Sequence, residues 1–107
     1  MPILPEMSVE ELKQHMDRGD DIFVLDVREP AEYQIANIGA QLIPLNDLPR
    51  RVGELDPEKH TVVHCRSGKR SAQAVEFLRQ NGFEKVQNLA GGILAWVDKI
   101  DPKMQKY

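Results

Sequence analysis

The sequence predicts an α/β fold: one domain on a mainly parallel central sheet of about five strands, with helices on both faces. Three observations predict it. Short apolar runs rich in β-branched residues alternate with stretches of helical spacing, the order of strand–helix–strand units. The runs are apolar at nearly every position rather than at every second one, as suits strands buried on both faces. The 107 residues are enough for one packed core and too few for two.

The elements follow in order. Ser8 to Glu11, "SVEE", reads as a capping box in which Ser8 accepts from the Glu11 N–H and Glu11 reaches back. Val9, Leu12 and Met16 then share one helical face, and Gly19 ends the helix. "DIFVLDV", Asp21 to Val27, is a doubly buried strand. Pro30 suits the first turn of a short helix, "PAEYQIA". "QLIPL", Gln41 to Leu45, is a short strand that Pro44 ends or confines to an edge. "NDLPRRVGEL" is a helix capped by Asn46, with Pro49 in its first turn. "DPEK" is a turn. "TVVHC", Thr61 to Cys65, is a strand, and a helix starts near Ser71 in "SAQAVEFLRQNG", with Asn81-Gly82 as its C-cap. "KVQNL", Lys85 to Leu89, is a strand. "GGILAWVDKI" is a last helix from Gly91, stopped near Asp101-Pro102. Residues 103–107, "KMQKY", read as a tail of a domain spanning 1–107.

The bulk numbers exclude several classes. The net charge of −3 gives no global attraction to nucleic acid or to an anionic membrane. No apolar run approaches the roughly 20 residues of a membrane span. The N-terminus lacks the basic start and long apolar stretch of a signal peptide. The single cysteine rules out an internal disulfide and a Cys-rich metal site. A free thiol fits a reducing compartment, so a cytoplasmic location is expected, with no cofactor and no metal.

That cysteine lies in "HCRSGKRS", His64 to Ser71, where three basic residues and no acid follow it. A thiol attacks only when ionised; nearby cations and a helix N-terminus lower its pKa from about 8.5. Arg66, Lys69 and Arg70 bring positive charge. The helix start near Ser71 brings unpaired N–H groups. Gly68 lets the backbone turn so that successive N–H groups converge on an anion, and Ser67 belongs to the same loop. A strand end is also where ligands bind in open α/β sheets. A small buried core cysteine is the plainer alternative, but such a residue has no need of three cations.

Three stretches carry a resemblance to one family. "CRSGKRS" matches the Cys-Arg-x-Gly-x-Arg loop of the rhodanese (sulfurtransferase) family at Cys65, Arg66, Gly68 and Arg70. "LDVREPAEY", Leu25 to Tyr33, is similar to its Asp-x-Arg segment, and "LAGGILAW", Leu89 to Trp96, to its Gly-Gly-x-x-x-Trp ending. At "IANIGAQLIPL" the chain departs from the commoner Gly-His-Ile-Pro-Gly-Ala: Asn37 differs, and no proline precedes Gly39. This version is similar to rhodanese domains fused behind E1-like adenylyltransferases of molybdopterin and thiamine sulfur transfer.

The resemblance implies a single rhodanese-like domain in which Cys65 carries sulfane sulfur as a persulfide. The implied donor is thiosulfate or a similar small anion, or a cysteine desulfurase. The implied acceptor is a thiol or the C-terminus of a ubiquitin-like sulfur-carrier protein. Arg66 and Arg70 would orient an anionic donor, and Lys69 would act as a point charge. Asp26, Arg28 and Ser71 would brace the loop from behind. Cysteine phosphatases and arsenate reductases on the related fold use a loop one residue longer. Here four residues, Arg66 to Lys69, separate Cys65 from Arg70, a length suited to one extra sulfur atom. A phosphatase-like or arsenate-processing enzyme and a non-catalytic recognition module remain the alternatives.

Other candidates read more plainly. His64 precedes Cys65, but neighbours along a strand point to opposite faces, which argues against a Cys–His dyad. His15 and His60 read as surface residues. Gly91 and Gly92 permit a tight turn and close packing beside the loop, and Trp96 is core. Arg50 and Arg51 read as a solvated face rather than a docking patch shared with Arg66 and Lys69.

Overall fold

The computed structural model describes residues 5–107. Five parallel strands, β1 (Glu6–Met7), β2 (Ile22–Asp26), β3 (Gln41–Leu42), β4 (His60–His64) and β5 (Val86–Leu89), lie in the order β1-β5-β4-β2-β3. The helices are α1 (Val9–Arg18), α2 (Pro30–Ile35), α3 (Leu48–Arg51), α4 (Lys69–Gln80) and α5 (Gly92–Lys99).

Alternation along the central strands builds two cores. On β2 and β4, Leu25 and Val63 face Ala74, Val75 and Leu78 of α4, with Leu48 of α3 beside them. Val24 and Val62 face the opposite way, onto Leu12 of α1 and Trp96 of α5. Both faces of β4 are therefore covered, and this is why its sequence is apolar throughout. Trp96 is 6% exposed, as a core residue should be. No helix among the described residues is long and apolar enough to cross a membrane.

The termini of α1 match their sequence signals. Ser8 accepts from the Glu11 N–H at 3.1 Å, but Glu11 returns through its carboxylate to the Ser8 hydroxyl rather than to the backbone. Gly19 closes the helix at φ +71°.

Four local expectations differ. The pair Glu6–Met7 forms an edge strand against β5, with Met7 buried, where no strand was expected; two residues are too few to show a period. The 41–45 strand is paired only at Gln41–Leu42, because β2 itself ends at Asp26; Pro44 lies on the edge strand, where its missing N–H would have faced away from β2. Its neighbours still donate, Ile43 N to Asp26 O and Leu45 N to Val27 O. The helix expected from Asn46 is broken into a 3-10 turn at Leu45–Asp47, α3, and a second 3-10 turn at Val52–Glu54. No side chain caps it; Asp47 N closes the first turn on Pro44 O at 2.8 Å. Residues 103–107 are not a loose end: Tyr107 is half-buried and packs beside Ile93 and Val97.

Candidate active site

Cys65 immediately follows β4, at the carboxyl end of the sheet. Its side chain joins the α4 core with Val63 and is 1% exposed. His64 therefore faces the other side of the sheet, and no His–Cys dyad forms. Instead His64 Nε2 lies 3.5 Å from Asp26 Oδ2. Burial pushes the imidazole pKa down, and the Asp26 charge only partly opposes this.

Backbone amides meet the sulfur. Gly68 N donates to Sγ at 3.1 Å and Ser71 N at 3.4 Å, and the Ser71 hydroxyl lies 3.4 Å away. Gly68, at φ +109°, makes the turn that aims these groups inward. Burial raises the thiol pKa. The Ser71 hydroxyl and the amides of Ser71, Gly68 and Ser67 outweigh it and hold the thiol below its ordinary value.

The loop keeps this shape because its carbonyls are tied back. Ile93 N donates to Cys65 O at 2.9 Å and Leu94 N to Arg66 O at 3.1 Å, both from the first turn of α5. With the Arg66 carbonyl drawn to α5, the Ser67 N–H on the opposite side of the same planar peptide turns toward the sulfur. Gly92 allows the approach: a Cβ there would meet Cys65 O at 2.6 Å and Arg66 O at 2.5 Å. On the other side, Asn88 Nδ2 donates to Gly68 O. The α4 helix starts at Lys69, two residues ahead of the expected start.

The loop cations are placed differently from one another. Arg70 donates both ends of its guanidinium to Glu32, at 2.6 and 2.8 Å. Arg70 holds the Glu32 carboxyl well down, at about 2. Arg66 is exposed, donates Nε to the Tyr107 carbonyl at 2.7 Å and lies over the Tyr107 ring. Lys69 and Ser67 are exposed. A cleft of about 170 Å³, lined by Val27, Glu29, Leu45, Asn46 and Arg70, opens beside the loop.

Asp26 and Arg28 are both fully buried. Arg28 Nε donates to both Asp26 oxygens, Nη2 to Asp26 and to Ala36 O, and Nη1 to Glu32 O and the Tyr107 hydroxyl. Every guanidinium donor has a partner, which is what a buried arginine requires. Burial works against its charge, but Asp26 and Tyr107 hold its pKa above the ordinary value. Among the described residues no hydrogen bond joins Asp26 or Arg28 to the 65–70 loop. The link is indirect: the Tyr107 hydroxyl accepts from Arg28 and donates to Glu32, which holds Arg70.

Three residues at the site escaped the sequence reading. Glu32 lies inside "LDVREPAEY", but nothing in its neighbours along the chain marks it as the partner of Arg70. Asn88 and Tyr107 gave no local signal. His15 and His60 are half-buried and stack edge to face at 5.9 Å, and His60 opens β4 at the end away from Cys65. Arg50 and Arg51 pair with Asp47 and Glu54. No group of three or more potential metal ligands occurs among the described residues.

The model of the Rhodanese-like domain matches residues 8–99. A sulfurtransferase of Allochromatium vinosum is 39% identical over 92 residues, covering 85% of this chain and 86% of that one. YrkF of Bacillus subtilis, named as a sulfur carrier, is 37% identical over 99 residues, covering 92% of this chain and 54% of its own length. An adenylyltransferase and sulfurtransferase of Zea mays, MOCS3-2, is 34% identical over 116 residues, spanning 98% of this chain but 24% of that protein. Thus the chain spans about half of one relative and a quarter of another. A crystal structure of a rhodanese-related protein from Thermoplasma volcanium superposes with a TM-score of 0.82 at 33% identity, covering 90% of this chain and 93% of that one.

Proposed function

The chain belongs to the rhodanese-like domain family, whose members similar to it include proteins named for sulfur transfer, and we propose that it carries sulfane sulfur as a persulfide on Cys65. The observation that supports this is a strand-end thiol receiving two backbone N–H groups. Such a cradle favours a thiolate, and it favours equally the anion of one further sulfur.

The Cys65 thiolate attacks the outer sulfur of the donor and forms a new S–S bond. The bond between the donor's two sulfurs breaks, and its electron pair leaves with the donor remnant: sulfite from thiosulfate, a thiolate from a persulfide. An acceptor nucleophile then attacks the outer sulfur and returns the electron pair of the Cys65 S–S bond to Cys65. Cyanide leaves as thiocyanate, and a thiol as a new persulfide. This divides one transfer into two displacements. Lys69 is exposed at the α4 N-terminus, while Arg70 and Arg66 pair with Glu32 and Tyr107, and this supports Lys69 as the cation that meets an anionic donor. In the cell the donor would be a small anionic sulfur compound or a cysteine desulfurase persulfide, and the acceptor a thiol or a sulfur-carrier C-terminus, in the cytoplasm.

The test is intact mass after incubation with thiosulfate, and separately with a low-molecular-weight persulfide. A gain of one sulfur, removed by cyanide and absent in Cys65→Ser, is expected. Turnover of an aryl phosphate without sulfur loading would replace this reading with the phosphatase-like one. A thiol that neither loads nor is unusually reactive would leave the recognition module.

A further inference from the structure

Asn88 closes the cradle. It lies on β5 and is 4% exposed. Its Nδ2 donates to Gly68 O at 3.1 Å, and this fixes which way the amide faces. Oδ1 is left toward Ser71, whose hydroxyl donates to it. Ser71 is fully buried, and the same Oγ lies 3.4 Å from Cys65 Sγ.

A hydroxyl has one proton and two lone pairs. With the proton on Asn88, the sulfur meets only lone pairs and must itself be the donor, as S–H. The neutral thiol therefore sits in an unbroken chain, S–H to Ser71 to Asn88. A thiolate cannot. Either the hydroxyl swings to the sulfur and strands the buried Asn88 oxygen, or the sulfur loses its serine contact. Ionisation costs one hydrogen bond that the thiol keeps.

The geometry points to Asn88 as a positioning residue that commits the Ser71 proton and so opposes ionisation of Cys65. It is a counterweight to the Gly68 and Ser71 amides, which favour the thiolate. A consequence follows that rests on the sulfur-transfer reading. In the persulfide the charge moves to the outer sulfur, and the Ser71–Asn88 bond is restored. Asn88 thus favours the loaded state over the free thiolate.

The charged groups around the sulfur leave this relay undisturbed. Arg70 faces it from α4 but is paired with Glu32. Arg66 is turned onto Tyr107, and Lys69 is exposed. His64, Asp26 and Arg28 lie behind the strand. The first turn of α5 and all of β5 carry no charge. None of these groups shares a hydrogen bond with the Ser71 or Asn88 side chains among the described residues.

The lone cysteine makes the experiment direct: the pH dependence of iodoacetamide alkylation gives the Cys65 pKa in wild type, Asn88→Ala, Ser71→Ala and the double variant. Asn88→Ala is expected to lower it by about half to one pH unit, the worth of one neutral hydrogen bond. Asn88→Ala is expected to have no such effect in the Ser71→Ala background, so that the double variant matches Ser71→Ala, because the effect travels through the hydroxyl. A plain brace behaves otherwise: Asn88→Ala would raise the pKa, and would do so without Ser71 as well, which overturns the proposal. If Asn88→Ala does not fold by circular dichroism, the near-isosteric Asn88→Asp serves. Its stronger acceptor raises the pKa, and the rise must shrink in the Ser71→Ala background; an equal rise in both overturns the proposal. Alkylation reads the thiol and not sulfur loading, so a Cys65 that never loads sulfur counts against the proposed function alone.

Discussion

At the scale of single residues, the site depends on charges that satisfy one another. Arg28 is buried with all its donors used, chiefly on Asp26. Asp26→Ala leaves that guanidinium buried without its counter-ion, and a loss of about 3–5 kcal/mol in chemical denaturation is expected. Glu32 behaves differently because it titrates in a measurable window. Arg70 lowers its pKa from 4.5 to about 2 in the folded protein. The unfolded state therefore binds the proton first, and stability rises with pH through this window. The contribution is complete above pH 4.5 and is lost as the pH falls toward 2. Glu32→Gln should flatten the dependence of melting temperature on pH across that interval; an unchanged slope would show that the pair contributes nothing. The same variant releases Arg70, so sulfur loading from thiosulfate should reach half its maximum at a lower thiosulfate concentration.

At the scale of elements, the loop is shaped by α5 as much as by its own glycine. Two N-terminal amides of α5 hold the Cys65 and Arg66 carbonyls. Gly92 makes that contact at φ +61° with backbone where a Cβ would stand. Gly92→Ala must push α5 and the loop apart. A stability loss of about 1–3 kcal/mol is expected, from the strained backbone and the contact together. Sulfur loading should fall in the protein that remains folded, since the amides are released from the sulfur. A variant that lost stability but loaded normally would mean that the loop keeps its shape without α5. Much at this scale was legible in the sequence. "TVVHCRSGKR" is one uninterrupted strand, turn and helix start, so local order alone places Cys65, Gly68 and Ser71 together. The split around Pro44 and Pro49 was not, because two 3-10 turns and a short helix bury Leu48 as a single helix would.

At the scale of the whole molecule, β4 separates two cores, and only one contains Cys65. Leu12→Ala, in the α1–α5 core, should cost about 2–5 kcal/mol as any buried leucine does. Well below its melting temperature it should load sulfur at the wild-type rate. Leu78→Ala, in the core that holds the thiol, should cost a similar amount and slow loading as well. Equal rates in both would mean that the cradle does not feel its own core. The sequence by itself determined the α/β class, the order of the main strands and helices, and the loop that wraps the sulfur. Each is set by periodicity or by residues a few positions apart. Tertiary structure alone decided which distant side chains complete the site. Glu32 comes from α2, Asn88 from β5 and Tyr107 from the end of the chain, and they meet the loop because parallel crossovers gather the carboxyl ends of the strands along one edge. That meeting also gives two of the loop's cations a partner, Glu32 for Arg70 and Tyr107 for Arg66, and no reading of neighbours along the chain could show it.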